Sequence, residues 1–162
     1  AKLAQSRAVA DKKPLLFYQS GMDEQVQIKR QILVDLHKAF EENQLMIYYQ
    51  PQVGLNPQGH VGAESLLRWK HPQRGFISPI FFVSAAEESG LIVPMGKWIF
   101  ETVCQHVNIL LDKGLRLKIA VNVSGIQFLQ DGFVKEVTSI LERFQVDPKY
   151  IELEITEGVV IQ

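Results

Sequence analysis

Leu117-Lys-Ile-Ala-Val-Asn-Val-Ser124 reads as a β-strand. Its apolar Ile119-Ala-Val121 run suits a strand covered on both faces. Downstream, Phe133 to Phe144 is a helix, Asp147-Pro148 turns the chain, and Tyr150-Ile-Glu-Leu-Glu-Ile-Thr-Glu157 is a further strand. Upstream, Met95 to Lys113 is a long helix, with Trp98, Ile99, Thr102, Val103, His106, Ile109 and Leu110 at helical spacing and Gly114 as its C-terminal stop. Strand, helix, strand, helix, strand is a βα pattern. It predicts an α/β fold with a parallel sheet built by right-handed crossovers.

Further upstream the same bookkeeping yields two more strands and two more helices. Leu45-Met-Ile-Tyr-Tyr-Gln-Pro-Gln-Val53 is the first strand, and Pro51, lacking an N–H, puts that end at an edge or bulge. Gly54 to Gly59, with Asn56-Pro57, is a turn, and Val61 to Trp69 is the second strand. So short a connection predicts antiparallel pairing of the first two strands. His71-Pro-Gln-Arg-Gly75 is a loop. Ser78 and Pro79 open a helix that stops at Gly90, and Leu91 to Pro94 is a connector. Before the first strand, Val26, Ile28, Ile32, Leu33, Leu36, Ala39 and Phe40 mark an amphipathic helix ending near Asn43. Asp23 is its candidate N-cap, and Glu24 suits the positive end of its dipole. Residues 1–22 read as the tail of an upstream unit, residues 23–44 as a linker helix, and residues 45–162 as the main body.

Length and composition set bounds. A chain of 162 residues with 46% hydrophobic content is one domain, or a large part of one, with a real core. Its net charge of −1 carries no polybasic field, so nucleic acid is not an expected partner. A single cysteine, Cys104, excludes an internal disulfide and fits a reducing, cytoplasmic compartment. No signal-peptide pattern or membrane-span-length apolar run is visible, although a membrane-anchored parent is compatible with this.

Three polar residues sit at or near the ends of apolar strand runs: Glu64, Asn122 and Glu154. Polar groups inside apolar strands are costly unless something pairs them. Carboxylate and amide oxygens on successive strands are what a hard divalent cation needs. In βα folds such residues collect at the C-terminal ends of the strands. Taken singly, Glu64 also reads as a solvent-facing strand residue and Asn122 as a strand-end cap. Ile151, Leu153 and Ile155 share one face of their strand, so Glu152 and Glu154 share the other.

Five segments in order carry a family resemblance: Tyr49-Gln50-Pro51-Gln52-Val53, Gly62-Ala-Glu64-Ser-Leu66-Leu-Arg68-Trp69, Ala86-Glu-Glu-Ser-Gly90-Leu-Ile92, Val121-Asn122-Val-Ser124 and Glu152-Leu-Glu154-Ile-Thr-Glu157. Together they resemble the EAL domain, the cyclic di-GMP phosphodiesterase class, over about residues 45 to 161. The tripeptide that names the family reads Glu64-Ser65-Leu66 here, with serine for alanine. The small serine is expected to change the strand little.

The resemblance implies a TIM-type (β/α) barrel whose first strand is antiparallel. It implies that Glu64, Asn122 and Glu154 ligate a Mg²⁺ or Mn²⁺ pair. Arg68 would hold a substrate phosphate, Gln50 would contact substrate, and Pro79 would line a guanine pocket. Glu157 would anchor a mobile loop of the metal site. The implied reaction is two-metal hydrolysis of cyclic di-GMP to linear pGpG in bacterial second-messenger signalling. Glu64, Glu154 and Glu157 are thus the catalytic candidates.

A (β/α)₈ barrel takes about 250 residues. From Leu45 onward this chain supplies its first half, without the family's Asp-Asp-Phe-Gly-Thr-Gly loop or its later lysine and glutamate. The chain alone is therefore expected to be inactive, and to dimerise, swap elements or be marginally stable through an open strand edge at Tyr150–Glu157. Ala1 to Met22, through Leu16-Phe-Tyr18, resembles the end of a GGDEF (diguanylate cyclase) domain, so an upstream GGDEF partner is expected. The alternatives are a degenerate EAL module that senses cyclic di-GMP without hydrolysing it, and a purely structural fragment.

The remaining chemistry-bearing residues read as packing. His37, His60, His71 and His106 lack metal-ligand spacing, with His71 alone placed near the site by its position after Arg68. Cys104, Trp69 and Trp98 read as core residues.

Overall fold

The computed structural model describes residues 22–54 and 61–155, with side chains from residue 30 onward and not that of Val61. Helix α1 (Met22–Glu41) leads into strands β1 (Leu45–Val53), β2 (Val61–His71) and β3 (Gly75–Ile77). Helices α2 (Pro79–Ser89) and α3 (Ile92–Asp112) follow. Then come β4 (Lys118–Val123), the one-turn helix α4 (Gly125–Phe128), α5 (Phe133–Phe144), a 3₁₀ turn (Pro148–Tyr150) and β5 (Ile151–Ile155). The sheet order is β1-β2-β4-β5, with β3 paired to β2. β1 and β2 are antiparallel, and β2, β4 and β5 run parallel, as the short and long connections require. The result is an α/β fold with a partial, unclosed sheet. Pro51 lies on β1, the outermost strand of the described sheet.

The helices pack on one face of that sheet. Ile119, Val121 and Val123 of β4 are buried against Phe100, Val103 and Val107 of α3 and Val137 and Ile140 of α5. A second cluster joins Ile32, Leu36 and Ala39 of α1 to Phe82, Ala85 and Ala86 of α2 around Trp69. The other face is open: Lys118 and Asn122 are exposed, and only Ala120 of β4 is buried there. Among the described residues, then, β4 is covered on one face and not on both. Its Ile-Ala-Val run is apolar because alanine alone occupies the open side.

Two helix starts and one capping bond differ from the sequence expectation. Helix α3 starts at Ile92 rather than Met95, because Pro94 falls in its first turn, where a missing N–H is no loss. Ser78 stands at the N-cap of α2, but its side chain makes no capping bond, leaving Pro79 to set the entry. Helix α1 already includes Met22, so Asp23 lies inside it rather than at the cap. The side chains of Asp23 and Glu24, the turn at 55–60, residues 1–21 and the stretch from Thr156 to Gln162 lie outside the described residues. Gly90 and Gly114 end their helices in the left-handed conformation, with φ of 77° at each.

Two elements were unforeseen. β3 is only three residues long, too short to show a period. Helix α4 is held by a reciprocal capping box, in which Ser124 accepts from the Gln127 N–H while the Gln127 side chain takes the Ser124 N–H. Gln127 is buried, and the absence of a side chain at Gly96 is what lets its amide lie against α3.

No helix among the described residues is long and apolar enough to cross a membrane.

Candidate active site

Pairing register places the polar residues. Gln50 of β1 stands opposite Glu64 of β2, Glu64 opposite Ala120 of β4, and Asn122 of β4 opposite Glu154 of β5. Partners across a ladder share a face, and residues two apart on a strand share it too. Gln50, Glu64, Arg68, Asn122 and Glu154 therefore all lie on the open face, away from the helices. Glu152 lies there as well, where its carboxylate meets Lys118 Nζ at 3.3 Å.

One direct contact joins the trio. Asn122 Nδ2 donates to Glu64 Oε1 at 2.7 Å. The reverse amide orientation would set two acceptors against each other, so the amide nitrogen is committed to Glu64. The amide oxygen is left as the atom available to a cation. Glu154 is the next carboxylate along, beside Asn122 in register. Two half-buried glutamates and one exposed amide are oxygen donors of the type that Mg²⁺ or Mn²⁺ takes. Among the described residues no three His, Cys, Asp or Glu side chains converge on one point.

Arg68 lies four residues beyond Glu64 on β2, half-buried, and its Nη1 donates to the Leu67 carbonyl at 3.0 Å. Arg68, Asn122 and Pro79 line a common cavity of about 210 Å³, where β2 leaves β4 and α2 begins. Gln50 and Glu154 are outside that lining. Glu157 lies outside the described residues.

The serine in Glu64-Ser65-Leu66 is not idle. Ser65 is buried, and its Oγ donates to the Ala120 carbonyl at 2.8 Å. This bond ties β2 to β4 at the last paired rung, beside the Glu64–Asn122 contact. The small size of serine was legible in the sequence; a cross-strand donor was not, because it depends on register.

His71 is buried at the end of β2, on the helix face and away from Arg68. Its Nδ1 accepts the N–H groups of Gln73 and Arg74 at 3.1 and 3.2 Å. Its Nε2 lies 3.4 Å from Asp35 Oδ2 on α1. It fastens the β2–β3 turn to α1 and does not reach the open face. Tyr49, also on the helix face, bonds His106 Nδ1 through its hydroxyl at 2.7 Å. Burial, with a smaller contribution from Cys104, pushes its phenol up to about 12. Burial likewise pushes the Cys104 thiol up to about 11. Cys104 and Trp69 are fully buried, as packing roles require, and Trp69 Nε1 donates to Gln44 Oε1 at 3.1 Å.

A family model described as EAL domain matches residues 33–162. The chain belongs to the EAL domain family. Among curated relatives of this EAL chain, the bifunctional diguanylate cyclase/cyclic di-GMP phosphodiesterase MucR of Pseudomonas aeruginosa is 41% identical over 148 residues. That match covers 90% of the chain and 22% of the relative. The cyclic di-GMP phosphodiesterase PdeR of Escherichia coli is 40% identical over 129 residues, 79% of the chain and 19% of the relative. The chain thus spans about a fifth of the length of these relatives. A solved structure of the PaMucR phosphodiesterase in complex with c-di-GMP superposes with a TM-score of 0.76 at 42% identity. It covers 82% of this EAL chain and 54% of that one.

Proposed function

We propose that this chain is part of a cyclic di-GMP-specific phosphodiesterase, and that its open sheet face carries the catalytic and substrate-binding groups. The observation that supports this most is the Glu64–Asn122 contact, set on the same face as Glu154 and beside the cavity that Arg68 and Pro79 line. Glu64, Asn122 and Glu154 would hold the Mg²⁺ or Mn²⁺ pair. A bound pair of divalent ions supplies charge stabilisation at a phosphodiester and a nucleophile at neutral pH.

The chain's own side chains then divide the work. Arg68 offers a planar, permanently charged fork that suits phosphate oxygens. Gln50, opposite Glu64, offers an amide to the sugar-phosphate ring of the substrate. Pro79 gives the cavity an apolar wall for a base. Glu157 would brace the loop beyond β5.

The organisation around the site is part of the same reading. Residues 1–22 would close an upstream GGDEF-type domain, and the start of the 23–44 segment would link it to the EAL body, into whose core Ile32, Leu36 and Ala39 already pack. The edge strand β5 would pair with further sheet, in the same protein or in a second copy. Cys104 with no partner cysteine suits action in the cytoplasm.

Calorimetry of the native protein with cyclic di-GMP in the presence of Mn²⁺ tests this. Saturable binding that is lost in Arg68→Ala is the expected result. No heat of binding at millimolar cyclic di-GMP would overturn the reading.

A further inference from the structure

We propose that Tyr48 and Phe76 form a stacking platform for one purine base of the cyclic dinucleotide. The proposal rests on the reading of this face as a cyclic di-GMP site. Tyr48 is 49% exposed and Phe76 57% exposed, yet their rings touch, with centroids 6.1 Å apart at an interplanar angle of 70°. Exposed apolar side chains scattered singly need no explanation. This pair is different because of where its two residues start.

Tyr48 stands opposite Leu66 on the β1 side of β2, and Phe76 opposite Lys70 on the β3 side. Leu66, Arg68 and Lys70 alternate along one face of β2, so Arg68 is the midpoint between them. The two rings therefore meet across β2 over the backbone position of the phosphate-binding candidate, on the face that carries Glu64 and Gln50. Residues two apart on a strand are about 6.6 Å apart, a separation that a sugar can bridge between a phosphate at Arg68 and its base. Edge-to-face geometry leaves a ring face uncovered, and among the described residues about half of each side chain is exposed.

The occupant follows from the chemistry of the surroundings. Every base has a π-face, and aromatic side chains are the usual platform for it. The neighbouring Arg68 and the exposed Lys70 favour a phosphate-bearing aromatic over a neutral apolar segment. A cyclic dinucleotide has two bases, and the Pro79-lined cavity of about 210 Å³ offers an apolar wall to one of them. The platform offers a place for the second.

Two measurements on the native protein test this. Cross-peaks between guanine H8 of bound cyclic di-GMP and the ring protons of Tyr48 and Phe76 are expected in wild-type protein. Tyr48→Leu and Phe76→Leu, which keep apolar bulk, should each weaken cyclic di-GMP binding on the order of tenfold, while weak competition by inorganic phosphate is unchanged. Variants that bind cyclic di-GMP like wild type, or rings with cross-peaks only to protein, would overturn the platform alone. Equal loss of cyclic di-GMP and phosphate binding would also overturn it, as general damage to the site. Failure of wild-type protein to bind cyclic di-GMP would overturn both the platform and the reading beneath it.

Discussion

Asn122 Nδ2 donates to Glu64 Oε1 at 2.7 Å, joining residues 58 apart in the chain across β2 and β4. The bond orients both donors of the proposed cation site and commits the amide nitrogen away from it. Groups that orient metal ligands are worth about 10- to 100-fold in metal affinity. Asn122→Ala should therefore weaken Mn²⁺ binding by at least that range, since it removes an oxygen donor as well. A Mn²⁺ titration followed by electron paramagnetic resonance would read it. Unchanged affinity would remove Asn122 from the site.

Ser65 invites a test of the opposite kind. Ser65→Ala restores the tripeptide by which the family is named and removes the bond to the Ala120 carbonyl. A typical buried hydrogen bond contributes about 1 kcal/mol. In a domain of this size that corresponds to a fall in Tm of about 2–4 °C. Thermal unfolding of the two proteins decides it. An unchanged or raised Tm would mean that the hydroxyl does not brace the two strands.

Alkaline pH should weaken the fold. The Cys104 thiol is held at about 11 against an ordinary 9.0, and the Tyr49 phenol at about 12 against 10.0, chiefly by burial. Both groups hold their protons more tightly when folded. Unfolded chains release those protons first, so stability is full below about pH 9 and declines as pH rises towards 12. The urea midpoint should be lower at pH 10.5 than at pH 8. Equal midpoints would show that neither group is buried in solution. Cys104 should also resist thiol reagents at pH 8 until the protein is unfolded.

Much of this was legible in the sequence, for reasons that particular residues make plain. The alternation over residues 151–155 places Ile151 and Ile155 against the core and Glu154 on the other face without any structure, although Leu153 of the inward set is 40% exposed. The Leu117–Ser124 run, flanked by long helices, dictates parallel pairing. What escaped was non-local. That Ser65 reaches Ala120, that His71 turns towards Asp35 rather than Arg68, and that Tyr48 meets Phe76 all depend on register and pleat. A one-residue slip in register would reverse each of them. Helix α4 is the exception: Ser124-Gly-Ile-Gln127 has capping-box spacing, a signal that is local to the sequence.

The central claim is that the open face holding Glu64, Asn122 and Glu154 hydrolyses cyclic di-GMP. Its most direct test is to incubate the full-length protein of which this chain is part, and its Glu64→Ala variant, with cyclic di-GMP and Mn²⁺, and to follow linear pGpG by chromatography. The account predicts pGpG from wild type, with the rate of Glu64→Ala lower by at least about 100-fold, as expected when a group central to charge stabilisation is removed. Equal hydrolysis by the two proteins would contradict it.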